Sequence, residues 1–232
     1  DSSIDLTGFS HFVEMPNLAL FSRAGYPFTR FADLSKTSFV LPTDYGTAEI
    51  GVALELIGQM ANQTGVTASR FEISTPPIEA TSTNDLLLIG IAENEHDEAT
   101  PSDRPVIFRN AMRQLDASLS PQGSGAAVAA TIQAGGTMGA LVGYQSNLSA
   151  GQSIVAVLGT TKEGLLQAAG ALSNPPLRDR IRGAAVVVNA GKVRVLDSAT
   201  SYSLGNLSLR DRVGIFFANY PVLLSLIGVI IA

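Results

Sequence analysis

The chain contains no cysteine. Disulfide frameworks, thiolate metal sites and cysteine nucleophiles are therefore excluded. Compartment stays open, because a cysteine-free chain suits an oxidising space without requiring one. Tryptophan is also absent, and aromatic residues make up only 6%, which leaves little of the exposed ring surface that sugar sites present. Two histidines, His11 and His96, are scant material for a histidine-based metal centre. Charge is scarce as well: 15% of residues are charged, against about a quarter in ordinary globular chains. That deficit points to a large buried or membrane-embedded fraction. A net charge of −5 with scattered basic residues argues against nucleic-acid binding, because the attraction to phosphate is missing.

What is present is core material. A hydrophobic content of 46% in 232 residues suits one α/β domain, alone or with appendages. The chain begins at Asp1 with neither Met nor a signal sequence, which reads as a piece of a longer protein whose targeting segment lies upstream. No period of 20–50 residues repeats, so solenoids and propellers are disfavoured. Instead, short β-branched runs alternate with helical patterns. Phe39–Leu41 closes the first segment. Thr47 and Glu49 to Met60 read as a helix with Ile50, Leu54, Ile57 and Ala61 on one stripe and Gly65 at its end. Phe71–Ile73 reads as a strand. Leu86–Ile91 is a continuous apolar run of the kind buried on both faces of a sheet. Glu93–Asp103 is an acidic polar loop. Within the Ala- and Gly-rich Ala126–Tyr144, a helical start is expected to give way to a strand at Gly139–Tyr144. Ile154–Leu158 is a strand, and Lys162–Leu172 a helix capped by Thr161 and ended by Asn174-Pro175-Pro176. Ala185–Val188 and Val193–Leu196 around Ala190-Gly191 read as a hairpin. Strands alternating with helices predict an open, flavodoxin-like α/β domain with a mixed or parallel sheet over residues 1–200.

Beyond Ser198 the pattern changes. Tyr202–Asn206 reads as a polar linker. Leu209, Val213, Phe216, Phe217 and Tyr220 then share one helical face, with Ser208, Arg210, Asp211 and Arg212 on the polar side. Together they suggest an amphipathic interface helix within 201–220. Val222 to Ala232 carries no charge, but its helix would be about 16 Å long, whereas a bilayer core needs about 30 Å. Either one kinked helix spans from about Val213, or an interfacial helix precedes a transmembrane helix that starts at Pro221 and runs past Ala232. Of the two, the sequence favours the second. A C-terminal helix packed on the soluble domain is the plainer alternative. The arginines ahead of the apolar run would suggest a cytoplasmic domain, but long domains translocate largely regardless of charge.

Little of the sequence carries chemistry. Gly159-Thr160-Thr161-Lys162 stands where a phosphate loop would, between a strand and a helix, but lacks the G-x-x-x-x-G-K-[ST] spacing. Gly135-Gly136-x-x-Gly139 lacks the dinucleotide form and suits a closely packed backbone. Glu93, Glu95, His96, Asp97 and Glu98 are too dense in sequence to converge on a cation and read as a solvated loop. There is no G-x-S-x-G, and no serine or carboxylate pair stands out. No catalytic, cofactor or metal residue is assigned. Phe9, Phe12, Phe21, Tyr26, Phe28 and Phe31 cluster near the start. Core and interdomain packing is their ordinary reading, and Phe9, Tyr26 and Phe28 are the candidates for glycan or interdomain contact.

The same segment resembles a known family. Asp5-Leu6-Thr7-Gly8-Phe9, Met15-Pro16-Asn17-Leu18, Gly25-Tyr26-Pro27-Phe28-Thr29-Arg30, and Ala32-Asp33-Leu34-Ser35 to Val40-Leu41-Pro42 are similar to the block that opens the last α/β domain of the cellulose synthase B subunit. Resemblance continues more loosely through Asp85–Gly90, Leu141–Leu158 and the tail. It departs at Ser149-Ala150-Gly151-Gln152, where S-P-G-R would be expected. The resemblance implies a non-catalytic, inner-membrane-anchored subunit whose soluble part lies in the periplasm. Its partner would be the glycosyltransferase that makes and translocates β-1,4-glucan from UDP-glucose under cyclic di-GMP control; the alternative is a tethered module that guides the nascent glucan. Leu209, Val213, Phe216, Phe217, Tyr220, Leu224, Ser225 and Gly228 would then face membrane lipid or the catalytic subunit, Ser225 and Gly228 allowing close helix contact.

Overall fold

Leu86, Leu87, Leu88 and Ile89 are all fully buried in the computed structural model of the chain. Alternate side chains point to opposite faces, Leu86 and Leu88 into one core and Leu87 and Ile89 into the other. Such a strand must be covered on both sides. The structure describes residues 12–79, 83–91, 106–118, 136–146, 151–196 and 201–205. In chain order the elements are β1 (Phe12–Met15), α1 (Leu18–Ala24), β2 (Thr37–Val40), α2 (Thr47–Thr64), β3 (Glu72–Ser74), β4 (Asp85–Ile91), α3 (Val106–Ser118), β5 (Gly139–Gln145), β6 (Ser153–Gly159), α4 (Lys162–Ser173), β7 (Ala185–Asn189), β8 (Lys192–Leu196) and β9 (Tyr202–Gly205). They fall into two units. Met15–Tyr202 contains a seven-stranded sheet; the described part of the second is residues 12–14 and 203–205, in the strands β1 and β9 that pair with each other.

The large sheet runs β3-β2-β4-β6-β5-β7-β8. The first four strands are parallel, β5 is antiparallel to both β6 and β7, and β8 is antiparallel to β7. α1, α2 and α4 pack on the face carrying Phe39, Leu87, Leu141, Val155 and Val157. α3 covers the other through Phe108, Ala111 and Leu115. The β7–β8 turn places Ala190 and Gly191 at φ 46° and 70°, the left-handed pair that matches strand twist in a two-residue hairpin. α2 ends at Gly65, φ 67°, whose amide bonds to the Ala61 carbonyl.

The fold class needs one correction. Among the described residues no helix is long and apolar enough to cross a membrane, so the described fold is mixed α/β without the expected C-terminal transmembrane helix. α2 reaches 18 residues, but Glu49, Glu55, Gln59, Asn62 and Gln63 interrupt it. The run 207–232, on which that helix and the interface helix were placed, lies outside the described residues. Three smaller differences concern single elements. Tyr202–Gly205 is a strand rather than a polar linker, because a distant segment, β1, supplies its partner. α1 and α3 were not anticipated, although Phe108, Ala111, Met112 and Leu115 have helical spacing. The stripe on α2 is turned outward in its first half, Ile50 40% and Leu54 60% exposed, while Ile57 packs partly against the core and Val52, Ala53, Leu56 and Met60 enter it. Both stripes have a helical period, and only the sheet's position selects between them. Leu56→Ala should therefore cost about 2–5 kcal/mol in urea unfolding, while Leu54→Ala should stay within about 0.5 kcal/mol.

Candidate functional site

The spaced motif near the start of the chain builds one end of the sheet. Asn17 caps α1, its side chain accepting from the Leu20 amide at 3.0 Å, and the Leu18 amide donates to the Gly183 carbonyl at 2.9 Å. Gly25 ends α1 at φ 68°, and a Cβ there would lie 2.6 Å from Thr29 Cγ2, so no side chain fits. Thr29 then folds back, its hydroxyl donating to the Ala24 carbonyl at 2.6 Å. Phe28 drops into the core, 1% exposed, edge-on to Phe21 at 5.7 Å. Its carbonyl accepts from the Thr37 hydroxyl at 3.1 Å, which fixes the turn to β2. This sequence of constraints delivers Arg30 to the amino end of β4.

There Arg30 Nη2 lies 3.1 Å from Asp85 Oδ2; the arginine side chain is 36% exposed and the aspartate 1%. The approach is off the hydrogen-bonding direction, so the contact is chiefly ionic. Asp85 Oδ1 accepts from the Ser153 amide at 2.8 Å, because β4 and β6 run in register from Leu86 opposite Ile154. The Tyr202 hydroxyl donates to Ser153 Oγ at 2.8 Å, with the Tyr144 carbonyl at 3.3 Å. Beside them, Gln152 donates to the Asn84 carbonyl, and Asn84 bonds to Ser38 at 3.0 Å and Glu72 at 3.2 Å. Burial raises the pKa of Asp85, outweighing the Ser153 bond and the Arg30 charge, both of which lower it. Burial likewise pushes the Tyr202 phenol up to about 12, and raises half-buried Tyr26 against the opposing pull of Arg30.

The opposite end of the sheet is filled by the chain itself. At the Gly159-Thr160-Thr161-Lys162 turn, Thr161 caps α4 by accepting from the Gly164 amide at 3.2 Å. Residues 136–138 lie across that first turn. The Met138 amide donates to Thr160 Oγ1 at 2.9 Å, and the Thr160 amide donates to the Met138 carbonyl at 2.8 Å. A Cβ on Gly164 would sit 2.1 Å from Met138 O, and one on Gly159 2.1 Å from the Leu165 nitrogen. The glycines bring backbone against backbone where a phosphate would need space.

Of the residues singled out from sequence, Tyr26 stands beside the Arg30–Asp85 pair and Phe28 is core. Phe9, Leu209, Val213, Phe216, Phe217, Tyr220, Leu224, Ser225 and Gly228 lie outside the described residues, as do His11, His96 and the acidic 93–98 cluster. Among the described residues no group of three or more His, Asp or Glu side chains is placed to hold a metal. Sequence reasoning passed over Asp85, Ser153 and Tyr202, and quoted Arg30 only as part of a motif. Asp85 had a signal: a carboxylate heading the run Leu86–Ile91.

A family model described as "Cellulose synthase BcsB, second FD domain" matches residues 11–157. The chain belongs to the BcsB family. The BcsB chain is 30% identical over 224 residues to a "Cyclic di-GMP-binding protein" of Pseudomonas fluorescens (strain SBW25), covering 90% of this chain and 30% of that one. It is 31% identical over 250 residues to a protein of that name from Xanthomonas axonopodis pv. citri (strain 306), covering 100% and 32%. "Cellulose synthase 1" of Komagataeibacter xylinus is 26% identical over 253 residues, covering 99% and 16%. The chain thus spans under a third of the length of these relatives.

The raised Asp85 pKa has a signed consequence. A carboxyl that holds its proton more tightly when folded loses stability as pH rises from the unfolded value through the folded one, and the loss is complete above both. The difference in Tm between wild type and Asp85→Asn should therefore move against the wild type as pH rises from about 3.5. A wild-type advantage that grows over that interval would contradict the assignment.

Proposed function

We propose that this BcsB chain is part of a non-catalytic subunit of bacterial cellulose synthase, contributing a packing module to the assembly that polymerises β-1,4-glucan. The observation that carries the non-catalytic reading is the filled turn at Gly159–Gly164. The strand–turn–helix junction whose Gly-Thr-Thr-Lys sequence stands where a phosphate loop would is occupied by Met138 backbone and held by Thr160. The relatives named for cellulose synthase and for cyclic di-GMP support a synthase under cyclic di-GMP control, with catalysis in the partner glycosyltransferase. UDP-glucose would be consumed there.

α2 supports a role in assembly. Its outward face carries Ile50, Gly51, Leu54 and Gly58, with Glu55 as the charged residue beside them, and Leu54 is 60% exposed. A helix with apolar residues on both its inner and outer faces is normally covered on both. The mid-helix glycines at 51 and 58 have open space where a Cβ would be and cost helix stability of about 1 kcal/mol each relative to Ala, a sacrifice that close approach of another element would explain. In the full-length protein, Ile50→Glu with Leu54→Glu should reduce co-purified catalytic subunit about tenfold, the scale of losing an interface anchor. Thermal unfolding should shift little. Undiminished recovery of the partner would remove α2 as a contact.

The module is placed in the periplasm on the same reading, since an escort for secreted glucan acts where the polymer emerges. The absence of cysteine makes placement measurable. Lys192→Cys, exposed in the edge strand β8, should react with a membrane-impermeant maleimide in intact cells whose outer membrane has been made permeable. Labelling only after the inner membrane is broken would place the module inside.

A further inference from the structure

Asp85 and Ser153 begin neighbouring parallel strands, and neither is in contact with solvent: their exposures are 1% for the Asp85 side chain and 0% for Ser153. A buried carboxylate must be satisfied in place. Asp85 has two supports, the Ser153 amide at 2.8 Å and the Arg30 guanidinium at 3.1 Å. Ser153 is thereby committed on its backbone side, and its hydroxyl is the acceptor for Tyr202 at 2.8 Å. Tyr202 is the last residue of the α/β unit. The other end of the chain of contacts reaches the surface, where the Arg30 guanidinium lies 5.6 Å from the centre of the Phe31 ring and Phe31 is 45% exposed.

We infer that Arg30 is a positioning residue for the point at which the chain leaves the α/β unit: through Asp85 and Ser153, its charge sets how firmly Tyr202 is seated. The motif that ends in Arg30 and the strand that begins at Tyr202 are far apart in sequence, and the buried carboxylate joins them. Arg30 acts only through the carboxylate it neutralises, so it has no contact of its own with Tyr202. Removing it leaves Asp85 buried without a cation. The carboxyl must then take up a proton or turn toward water, and either response disturbs the Ser153 amide bond that orients the hydroxyl.

The test is a double-mutant cycle in the full-length protein, read by chymotrypsin cleavage after position 202 under native conditions, with products identified by mass spectrometry. Tyr202→Phe keeps the cleavage site and removes the hydrogen bond. It should speed cleavage about fivefold, the equivalent of one neutral hydrogen bond. Ser153→Ala and Arg30→Ala should each do the same, and Arg30→Ala combined with Tyr202→Phe should be no faster than either alone, since interacting sites are not additive. Arg30→Lys, which restores a cation, should recover part of the protection. Val187→Ala, which opens a cavity in the opposite core, should lower Tm without speeding cleavage at 202. Independent, multiplicative effects of Arg30→Ala and Tyr202→Phe would overturn the coupling, as would unchanged cleavage in Ser153→Ala. If Arg30→Ala does not fold, Arg30→Gln and Ser153→Ala decide the question by the same measurement.

Discussion

A carboxylate that is almost completely buried imposes order on everything around it. Asp85 is the first residue of a strand in the middle of the sheet, paired with Thr37 on the β2 side only, and its charge is met by Arg30 and one strand amide. Arg30 can meet it only because Gly25 accepts a left-handed turn, Thr29 folds back onto α1 and Phe28 is sunk in the core. Ser153 meets it because β6 starts in register with β4. An ion pair of this kind contributes little net stability, since desolvation offsets attraction. Its effect is specificity: other placements of the first helix and turn would leave a charge buried alone.

The other end of the sheet uses the opposite device. Charge and side chains are removed there, and glycines at 139, 159 and 164 let backbone meet backbone. The two ends therefore have different tolerances. Polar substitutions at the amino end alter a network, whereas any side chain at the glycine end collides with main chain that has no room to yield. A junction built this way has no space for a phosphate.

What remains outside is one face of α2. The sheet is covered on both faces, so the unit's own core is complete, yet α2 still presents Ile50 and Leu54 outward. An apolar helix face left outward in this way is normally covered by another element.

Much of the architecture could be read from residue order because it rests on local rules. Leu86–Ile91 is apolar at every position and is a doubly buried strand. Thr161 precedes an amphipathic run and caps its helix, Gly65 ends α2, and Ala190-Gly191 makes the hairpin turn. The motif ending in Arg30 carries the family resemblance in residue order alone. Three features could not be read this way, each because it depends on a partner distant in the chain. Two stripes on α2 have the same period, and the sheet decides which is inside. Tyr202–Gly205 becomes a strand only when β1 lies alongside it. Asp85 looks like an ordinary charge ahead of a strand until the fold brings Arg30, more than fifty residues earlier, and Ser153, nearly seventy later, to the same place. Sequence by itself determined the central strands, the helices α2 and α4, the hairpin and the family, because turns, caps and periodicity are properties of neighbours. Tertiary structure alone decided which faces are buried and which charges are paired, because desolvation depends on what the fold places around a group.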